Sequence, residues 1–161
     1  MKNRWKGTRV LVTGAGGFIG SHLTEELAKQ GARVSALTHY NSRSSRGFLE
    51  NLPSPLSRRV DIRAGDVCDS HFVSELVRGQ EAVFHLAALI AIPYSYVAPQ
   101  SFVSANIQGT LNVLEACRRR GVKKLIHTST SEVYGTARYT PIDENHPLQG
   151  QSPYSASKIG A

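Results

Sequence analysis

The chain has 161 residues, of which 40% are apolar, and a formal net charge of +7 at pH 7. This length and composition suit one globular domain, and no apolar run approaches the roughly 18 residues of a membrane span. The basic residues are not interleaved with aromatic ones, so an anionic cofactor and substrate are expected rather than nucleic acid or a membrane. Cys68 and Cys117 lack the spacing of a metal site or a disulfide framework, which predicts no metal centre and a reducing, cytoplasmic location.

A glycine-rich segment, TGAGGFIG at residues 13–20, follows an apolar run at residues 10–12. The segment after it is predicted to be helical by apolar residues at a spacing of four: Ile19, Leu23 and Leu27. A strand, a glycine turn and a helix in this order form a phosphate-binding unit. Gly14 and Gly17 permit a sharp turn and a close approach of the backbone to a pyrophosphate, and Gly20 lets the helix press onto the sheet. The segment therefore predicts a nucleotide site, with an ordinary glycine-rich turn as the alternative.

A second strand is predicted at residues 33–37, after Gly31 as the cap of the helix. In dinucleotide-binding folds an acidic residue near the end of this strand binds the ribose 2′-hydroxyl of NAD. None of residues 38–40 is acidic, whereas Arg43 and Arg46 follow in a serine-rich loop and would suit the 2′-phosphate of NADP. A solvated basic loop is the alternative for both arginines, so the choice between NAD and NADP stays open.

Strands and helices alternate along the rest of the chain. Further strands are predicted at residues 60–64, 82–88 and 124–128. Asp69 is expected to cap a helix whose core residues are Phe72, Val73, Leu76 and Val77. After a loop at 89–99, a helix over about 100–120 ends at Gly121. Its expected core face consists of Val103, Ile107, Leu111 and Leu114. The order β-α-β-β-α-β-α-β predicts an α/β fold with a doubly wound parallel sheet, the Rossmann fold.

Hydroxyl and charged residues follow the fifth strand. The segment STSEVYG occupies residues 129–135, and Tyr154 precedes Lys158 by four positions. Residues at this spacing share one helix face, and an ammonium beside a phenol favours the phenolate. Tyr154 is therefore a candidate general acid/base for a hydroxyl or carbonyl group, and Thr130 would hold the same oxygen. A tyrosine and a lysine at this spacing also occur by chance. The catalytic interpretation of the pair therefore depends on its position in the chain, after the glycine turn and the fifth strand.

Together, these motifs resemble those of the extended short-chain dehydrogenase/reductases, in particular the NAD-dependent epimerases and dehydratases of nucleotide sugars. The resemblance covers essentially the whole chain through TGxxGxxG, HxAA, NxxGT, STSEVYG and YxxxK, in that order. It implies a nucleotide-sugar substrate, a homodimer, and NAD as the cofactor with NADP not excluded. The implied cofactor contacts are Gly14, Gly16, Gly17, Phe18, Ile19, Gly20, Asp66, Val67, Leu86, Ala87, Ala88, Tyr154 and Lys158. Asp66 would reach the adenine amino group, with a turn-forming carboxylate as the alternative.

The implied catalytic residues are Thr130, Glu132, Tyr154 and Lys158, and Glu132 is informative about the reaction. In the family that the chain resembles, 4-epimerases carry a small or neutral residue at this place. The 4,6-dehydratases carry a Glu that acts as the base at C5 of the sugar, and UDP-glucuronate decarboxylases carry a related Glu. The dTDP-glucose dehydratases have an Asp in place of Ser131, whereas GDP-mannose dehydratases have the Thr-Ser-Glu order of this chain. A loop carboxylate is the alternative for Glu132.

We therefore expect a nucleotide-sugar 4,6-dehydratase. A 4-epimerase or a UDP-glucuronate decarboxylase is the alternative among enzymes, and a non-catalytic dinucleotide-binding regulator is the alternative from another class. Such a regulator would not need Thr130, Tyr154 and Lys158. The resemblance also predicts that residues 1–161 are a Rossmann domain that stops before the last strands and the substrate domain, and that this part alone is inactive.

Overall fold

The computed structural model describes residues 4–161. Five strands form one parallel sheet in the order β3-β2-β1-β4-β5. The strands are β1 (Arg9–Thr13), β2 (Arg33–His39), β3 (Val60–Gly65), β4 (Ala82–His85) and β5 (Lys124–His127). The chain thus runs outward from β1 on both sides, which confirms the doubly wound fold. In such sheets ligands bind at the carboxyl edge where the strand order reverses, here between β1 and β4.

Seven α-helices surround the sheet within residues 4–161. They are α1 (Phe18–Lys29), α2 (Ser54–Ser57), α3 (Ser70–Val77), α4 (Ile92–Val97), α5 (Pro99–Phe102), α6 (Gly109–Arg120) and α7 (Pro153–Gly160). A π-helical segment, Val103–Gln108, joins α5 to α6, and 3-10 turns occur at Gly47–Asn51 and Ser131–Val133. None of the helices described over this range is long and apolar enough to cross a membrane.

The core consists of two apolar layers, one on each face of the sheet. Val10 and Val12 of β1 are buried in one layer with residues of α1, and Leu11 is buried in the other with residues of α3 and α6. Successive residues of a strand point to opposite faces, so a central strand that is covered on both sides reads as a continuous apolar run. This is why residues 10–12 were recognisable as a buried strand from the sequence.

Two local predictions differ from the structure. The predicted loop at 89–99 contains the short helix α4, in which Pro93 occupies the first turn, where a backbone N–H is not needed. The predicted strand at 82–88 ends at His85. Beyond it, the N–H groups of Leu86 and Ala87 donate to the Thr13 hydroxyl at 3.2 and 3.1 Å, which takes this backbone out of regular strand pairing.

The predicted core face of the long helix is wrong. Val103, Leu111 and Leu114 are 51%, 49% and 43% exposed, and Ile107 is only partly buried. The buried face consists of Gly109, Thr110, Asn112, Val113, Ala116 and Cys117. The π-helical turn before α6 has a wider repeat than 3.6 residues, so a stripe that runs through it does not stay on one side.

Polar residues occupy the buried face of α6 because they find partners there. The Asn112 side-chain amide donates to the carbonyl oxygens of Val67 and Cys68, both at 3.0 Å. Thr110 bonds to His85 of β4 at 3.0 Å. A buried polar group costs little free energy when it is hydrogen-bonded, so the small polar face can pack on the sheet while the leucines face outward.

Candidate dinucleotide and catalytic site

The glycine turn packs closely against the strands around it. Gly14 has a positive φ of 69°, and a Cβ atom there would lie 2.7 Å from the backbone nitrogen of Ala87. A Cβ at Gly20 would lie 2.2 Å from the carbonyl oxygen of Gly14. Side chains at either place would push α1 and the end of β4 apart, so both glycines are required for the turn to lie at the carboxyl edge of the sheet.

The N-terminus of α1 is open to an anion. Its cap residue Gly17 has no side chain to accept the first N–H groups, and the first turn contains no acidic residue. By contrast, α3 is capped by Asp69, as predicted, and α7 is capped by Ser152. The uncapped N–H groups and the helix dipole of α1 therefore fit a pyrophosphate, the group that a dinucleotide would place here.

A cavity of about 760 Å³ runs along the carboxyl edge from this turn to the predicted catalytic residues. It is lined by Gly14, Gly16, Gly17, Phe18, Ile19, Gly20, Leu86, Ala87, Ala88, Thr130, Tyr154 and Lys158, together with residues of the β2–β3 connection. Most of the predicted cofactor and catalytic residues thus meet in one place. Ile19 was also predicted in the core stripe of α1, which is wrong, because it is 65% exposed and faces this cavity.

A second cavity, of about 700 Å³, lies beside the ends of β2 and β3 and is lined by Asp66 and Val67. Asp66 also accepts a hydrogen bond from the Cys68 N–H at 2.9 Å, so its turn-forming role is present in the structure. The two cavities adjoin each other, because both are lined by Gly14, His39, Ala87 and Ala88. The space suits an adenine ring, and the role of Asp66 toward its amino group stays a prediction.

A row of polar side chains crosses the sheet just below the cavity. Thr13, His85 and His127 are neighbours in register at the ends of β1, β4 and β5. The Thr13 hydroxyl is 2.8 Å from His85 Nδ1, and the two imidazole rings are 5.3 Å apart between centroids. Sequence reasoning missed this row, because a histidine in an apolar strand has no periodic signal and its partners are distant in the chain.

The hydrogen bonds define the protonation of His85. The Thr110 hydroxyl donates to the carbonyl oxygen of Asn106 at 2.6 Å, so it accepts from His85 Nε2–H. His85 Nδ1 is then unprotonated and accepts from the Thr13 hydroxyl. Burial, followed by the charges of His127 and Lys158, lowers the pKa of His85 to about 3. The ring is therefore a neutral bridge between β1, β4 and α6.

Asn106 is a second buried connector, in the π-helical segment. Its Oδ1 accepts from the Leu89 N–H at 2.8 Å, and its Nδ2 donates to the Leu89 carbonyl at 3.0 Å and to Ser157 Oγ at 2.9 Å. It thereby fastens the chain after β4 to α7, the helix of Tyr154 and Lys158. The NxxGT motif marked this residue in the sequence, but not these partners.

Tyr154 and Lys158 are held firmly in α7. Tyr154 is 7% exposed, with its ring 6.3 Å from that of Phe102, and Lys158 is 6% exposed. The Lys158 ammonium donates to the carbonyl oxygen of Thr128 at 2.9 Å and lies 3.4 Å from His127 Nε2. Burial lowers the pKa of Lys158 from its ordinary value. A desolvated ammonium at this place favours anionic oxygens nearby.

Thr130 and Glu132 differ in their position. Thr130 begins the 3-10 turn, and its hydroxyl oxygen accepts from the Glu132 N–H at 3.2 Å, so the hydroxyl hydrogen is free to donate into the cavity. Glu132 is exposed and does not line the cavity. The structure therefore brings together Thr130, Tyr154 and Lys158, whereas Glu132 is outside the lining that they share.

Comparison with known proteins identifies the family. A family model described as GDP-mannose 4,6 dehydratase matches residues 11–161. The chain belongs to this family. The family model covers nearly the whole chain, which confirms the family resemblance inferred from the sequence motifs.

Relatives of this family member include both dehydratases and epimerases. It is 37% identical to a dTDP-glucose 4,6-dehydratase and 38% identical to a UDP-glucose 4-epimerase, both from Mycolicibacterium smegmatis. The matches cover 95% and 94% of this chain but 46% and 48% of the relatives. DesIV, a dTDP-glucose 4,6-dehydratase from Streptomyces venezuelae solved with NAD and TYD bound, superposes with a TM-score of 0.84 at 35% identity, over 95% of this chain and 49% of that one. The chain spans about half the length of the relatives it matches.

Proposed function

We propose that the whole protein carrying this chain is a nucleotide-sugar 4,6-dehydratase that uses a nicotinamide adenine dinucleotide. The supporting observation is that the phosphate-binding turn shares one cavity with Thr130, Tyr154 and Lys158. Solved relatives with NAD in their descriptions include a dTDP-glucose 4,6-dehydratase and a UDP-glucose 4-epimerase. When bound, the nicotinamide would supply reversible hydride acceptance for an oxidation at C4 and a reduction at C6 of the sugar.

The chain's own residues would move the protons. Tyr154 takes the proton of the C4 hydroxyl, while the Thr130 hydroxyl donates a hydrogen bond to the same oxygen. The Lys158 ammonium is held by the Thr128 carbonyl, one helical turn after Tyr154 on the same face of α7. Glu132 takes the acidified C5 proton and passes it to the C6 hydroxyl, which leaves as water. The proton that Tyr154 took from the C4 hydroxyl balances the proton that C5 regains when hydride is added at C6. The net change is an internal oxidation at C4 and reduction at C6 with loss of one water.

An epimerase is the second candidate, because a UDP-glucose 4-epimerase is as similar to this chain as the dehydratase is. Both reactions begin with the same oxidation at C4, so Thr130, Tyr154 and Lys158 serve either. Only elimination needs a second base at C5. Glu132 is the carboxylate nearest in sequence to this set, and its presence favours the dehydratase.

Exchange of Glu132 for Gln in the whole protein tests the proposal. We expect formation of the 4-keto-6-deoxy sugar to fall by about 10²–10⁴, the usual effect of a positioned base, while single-turnover reduction of the cofactor at C4 is retained. Tyr154→Phe should abolish both steps. Product is measured by mass spectrometry and cofactor reduction by absorbance.

The matched control is Glu144→Gln, which removes an exposed carboxylate of the loop before α7 and should leave both rates unchanged. Inversion at C4 without loss of water in the unsubstituted enzyme would replace the dehydratase with the epimerase. Unchanged product formation by Glu132→Gln would remove Glu132 from the mechanism.

We also propose that the whole protein is a homodimer. The support is the outward apolar stripe of Leu111 and Leu114, which are three positions apart on α6 and are 49% and 43% exposed, because exposed apolar surface can mark protein interfaces. A second copy would meet it through the same residues in a two-fold arrangement.

A further inference from the structure

Lys158 extends from α7 to the end of β5, where two protein acceptors meet its ammonium. The ammonium donates to the Thr128 carbonyl oxygen at 2.9 Å, and its nitrogen lies 3.4 Å from His127 Nε2. No ion pair in the described residues 4–161 includes Lys158, which is 6% exposed. Since an ammonium has three N–H donors, these two acceptors leave one for a group in the cavity that Lys158 lines.

The two nitrogens of the His127 ring have different surroundings. Nε2 faces Lys158, whereas Nδ1 is buried and has no hydrogen-bond partner within residues 4–161. An ammonium can only donate, so Nε2 must present its lone pair, and the proton of the neutral ring lies on Nδ1. An unpaired buried nitrogen costs free energy, so the lysine is what accounts for a polar ring at this place.

The neighbouring charges keep His127 neutral. His85 of β4 lies 5.3 Å from it between ring centroids and is itself a neutral ring, while Lys158 of α7 is positive. Tyr154, one turn before Lys158, is the other titratable group of α7. Burial, followed by the charge of Lys158, lowers the pKa of His127 from its ordinary value. A protonated ring would have no lone pair and would repel the ammonium, so the contact needs the neutral form.

We propose that His127 is a positioning residue, whose Nε2 lone pair acts with the Thr128 carbonyl to hold the Lys158 ammonium in one place at the cavity. A lysine side chain loses much rotamer entropy when it is ordered, so a lysine that is held in advance lowers this cost for a ligand. An acceptor also favours the charged lysine, which offsets the effect of burial on its pKa. The proposal rests on the proposed function only in that Lys158 belongs to the catalytic set.

The tautomer of His127 can be measured without substituting any residue in the protein under study. The nitrogen-15 shifts of the labelled whole protein, without substrate, should show Nδ1 protonated and Nε2 unprotonated at pH 7. Comparison with His127→Gln assigns the signals. The opposite tautomer would overturn the proposal, because a protonated Nε2 cannot accept from Lys158.

Two substitutions measure the effect on Lys158. His127→Phe keeps an aromatic ring but has no lone pair, whereas His127→Gln supplies an acceptor oxygen at a similar distance from the backbone. We expect His127→Phe to lower the pKa of Lys158 by about one pH unit, since a hydrogen bond to a charged group is worth roughly that much, and His127→Gln to restore most of it. The pKa is followed by the carbon-13 shift of Cε in lysine-labelled whole protein, with the signal assigned by Lys158→Arg.

The matched control is His71→Phe, which replaces an exposed histidine of α3 and should leave the pKa of Lys158 unchanged. Far-UV circular dichroism checks that each variant is folded. An unchanged pKa of Lys158 in His127→Phe, or an equally large fall in His127→Gln, would overturn the proposal. Neither measurement uses a sugar or a cofactor, so such a result would leave the proposed dehydratase standing, and failure of the dehydratase would leave the contact of His127 with Lys158 measurable.

Discussion

His85 shows how one buried side chain joins the glycine turn to the rest of the site. It is 1% exposed and bridges Thr13 and Thr110 as a neutral ring. Because burial opposes its positive charge, acid conditions force a choice between an unfavourable buried imidazolium and loss of the native contacts.

This predicts an acid-sensitive free energy of unfolding. The pKa of His85 is about 3 in the folded chain and 6.5 ordinarily, so its contribution is complete above pH 6.5 and is lost as the pH falls toward 3. The slope is up to roughly 1.4 kcal/mol per pH unit. The free energy of unfolding is measured by urea titration at several pH values between 7 and 4. Its dependence on pH should be weaker in His85→Gln than in the unsubstituted chain. The control His71→Gln, an exposed residue of α3, should not change the slope; identical slopes in all three proteins would contradict the role of His85.

At this scale, the sequence predicted which side chains would lie together where residue type and spacing decide it. The turn glycines, Tyr154 and Lys158 were recognisable because the required chemistry restricts which residues can occupy those places. His85 and Asn106 were not recognised as connectors, since their bonds reach across 72 and 51 residues to Thr13 and Ser157. Local pattern carries no information about such partners.

At the scale of an element, helix α6 also has features that local sequence pattern predicts and one that it does not. Its existence and its end at Gly121, which has a positive φ of 69°, were predicted from pattern and capping. Its orientation was not, because the prediction assumed one helical period through residues 103–108 and assigned the leucines to the core. The strands, by contrast, were predicted to within one or two residues, except for β4, whose end is set by the Thr13 hydroxyl.

The orientation of α6 gives a direct prediction for stability. Val113 is fully buried, so Val113→Ala should lower the free energy of unfolding by about 1.5–3 kcal/mol through lost burial and a residual cavity. Leu111→Ala on the outward face should change it by less than about 0.5 kcal/mol, even though leucine loses more apolar area. Urea unfolding of residues 1–161 at a concentration where the chain is monomeric measures both. A larger loss of unfolding free energy for Leu111→Ala than for Val113→Ala would support the core face that the sequence predicted.

At the scale of the whole molecule, the described chain has two surface features. One is the cavity at the carboxyl edge of the sheet, and the other is the exposed apolar face of α6. The chain matches 46% of one dTDP-glucose 4,6-dehydratase and 49% of another, so about half of each relative has no counterpart in these 161 residues. Its sequence therefore predicts the cofactor side of the site in detail and the sugar not at all. The outward face of α6 is the surface that the proposed homodimer would use.

The proposed homodimer predicts that charged side chains on the outward face of α6 separate the subunits. Leu111→Glu with Leu114→Glu should convert the whole protein from dimer to monomer in sedimentation velocity at micromolar concentration, because two unpaired carboxylates per subunit would be buried at the two-fold interface. The matched control replaces Ile142 and Leu148, exposed apolar residues of the loop before α7, with Glu and should leave the dimer intact. Binding of 5′-AMP should be equal in both variants, since neither pair lines the cavity. If the unsubstituted protein is a monomer, the proposed homodimer is wrong. If the double variant stays dimeric, the interface does not include Leu111 and Leu114.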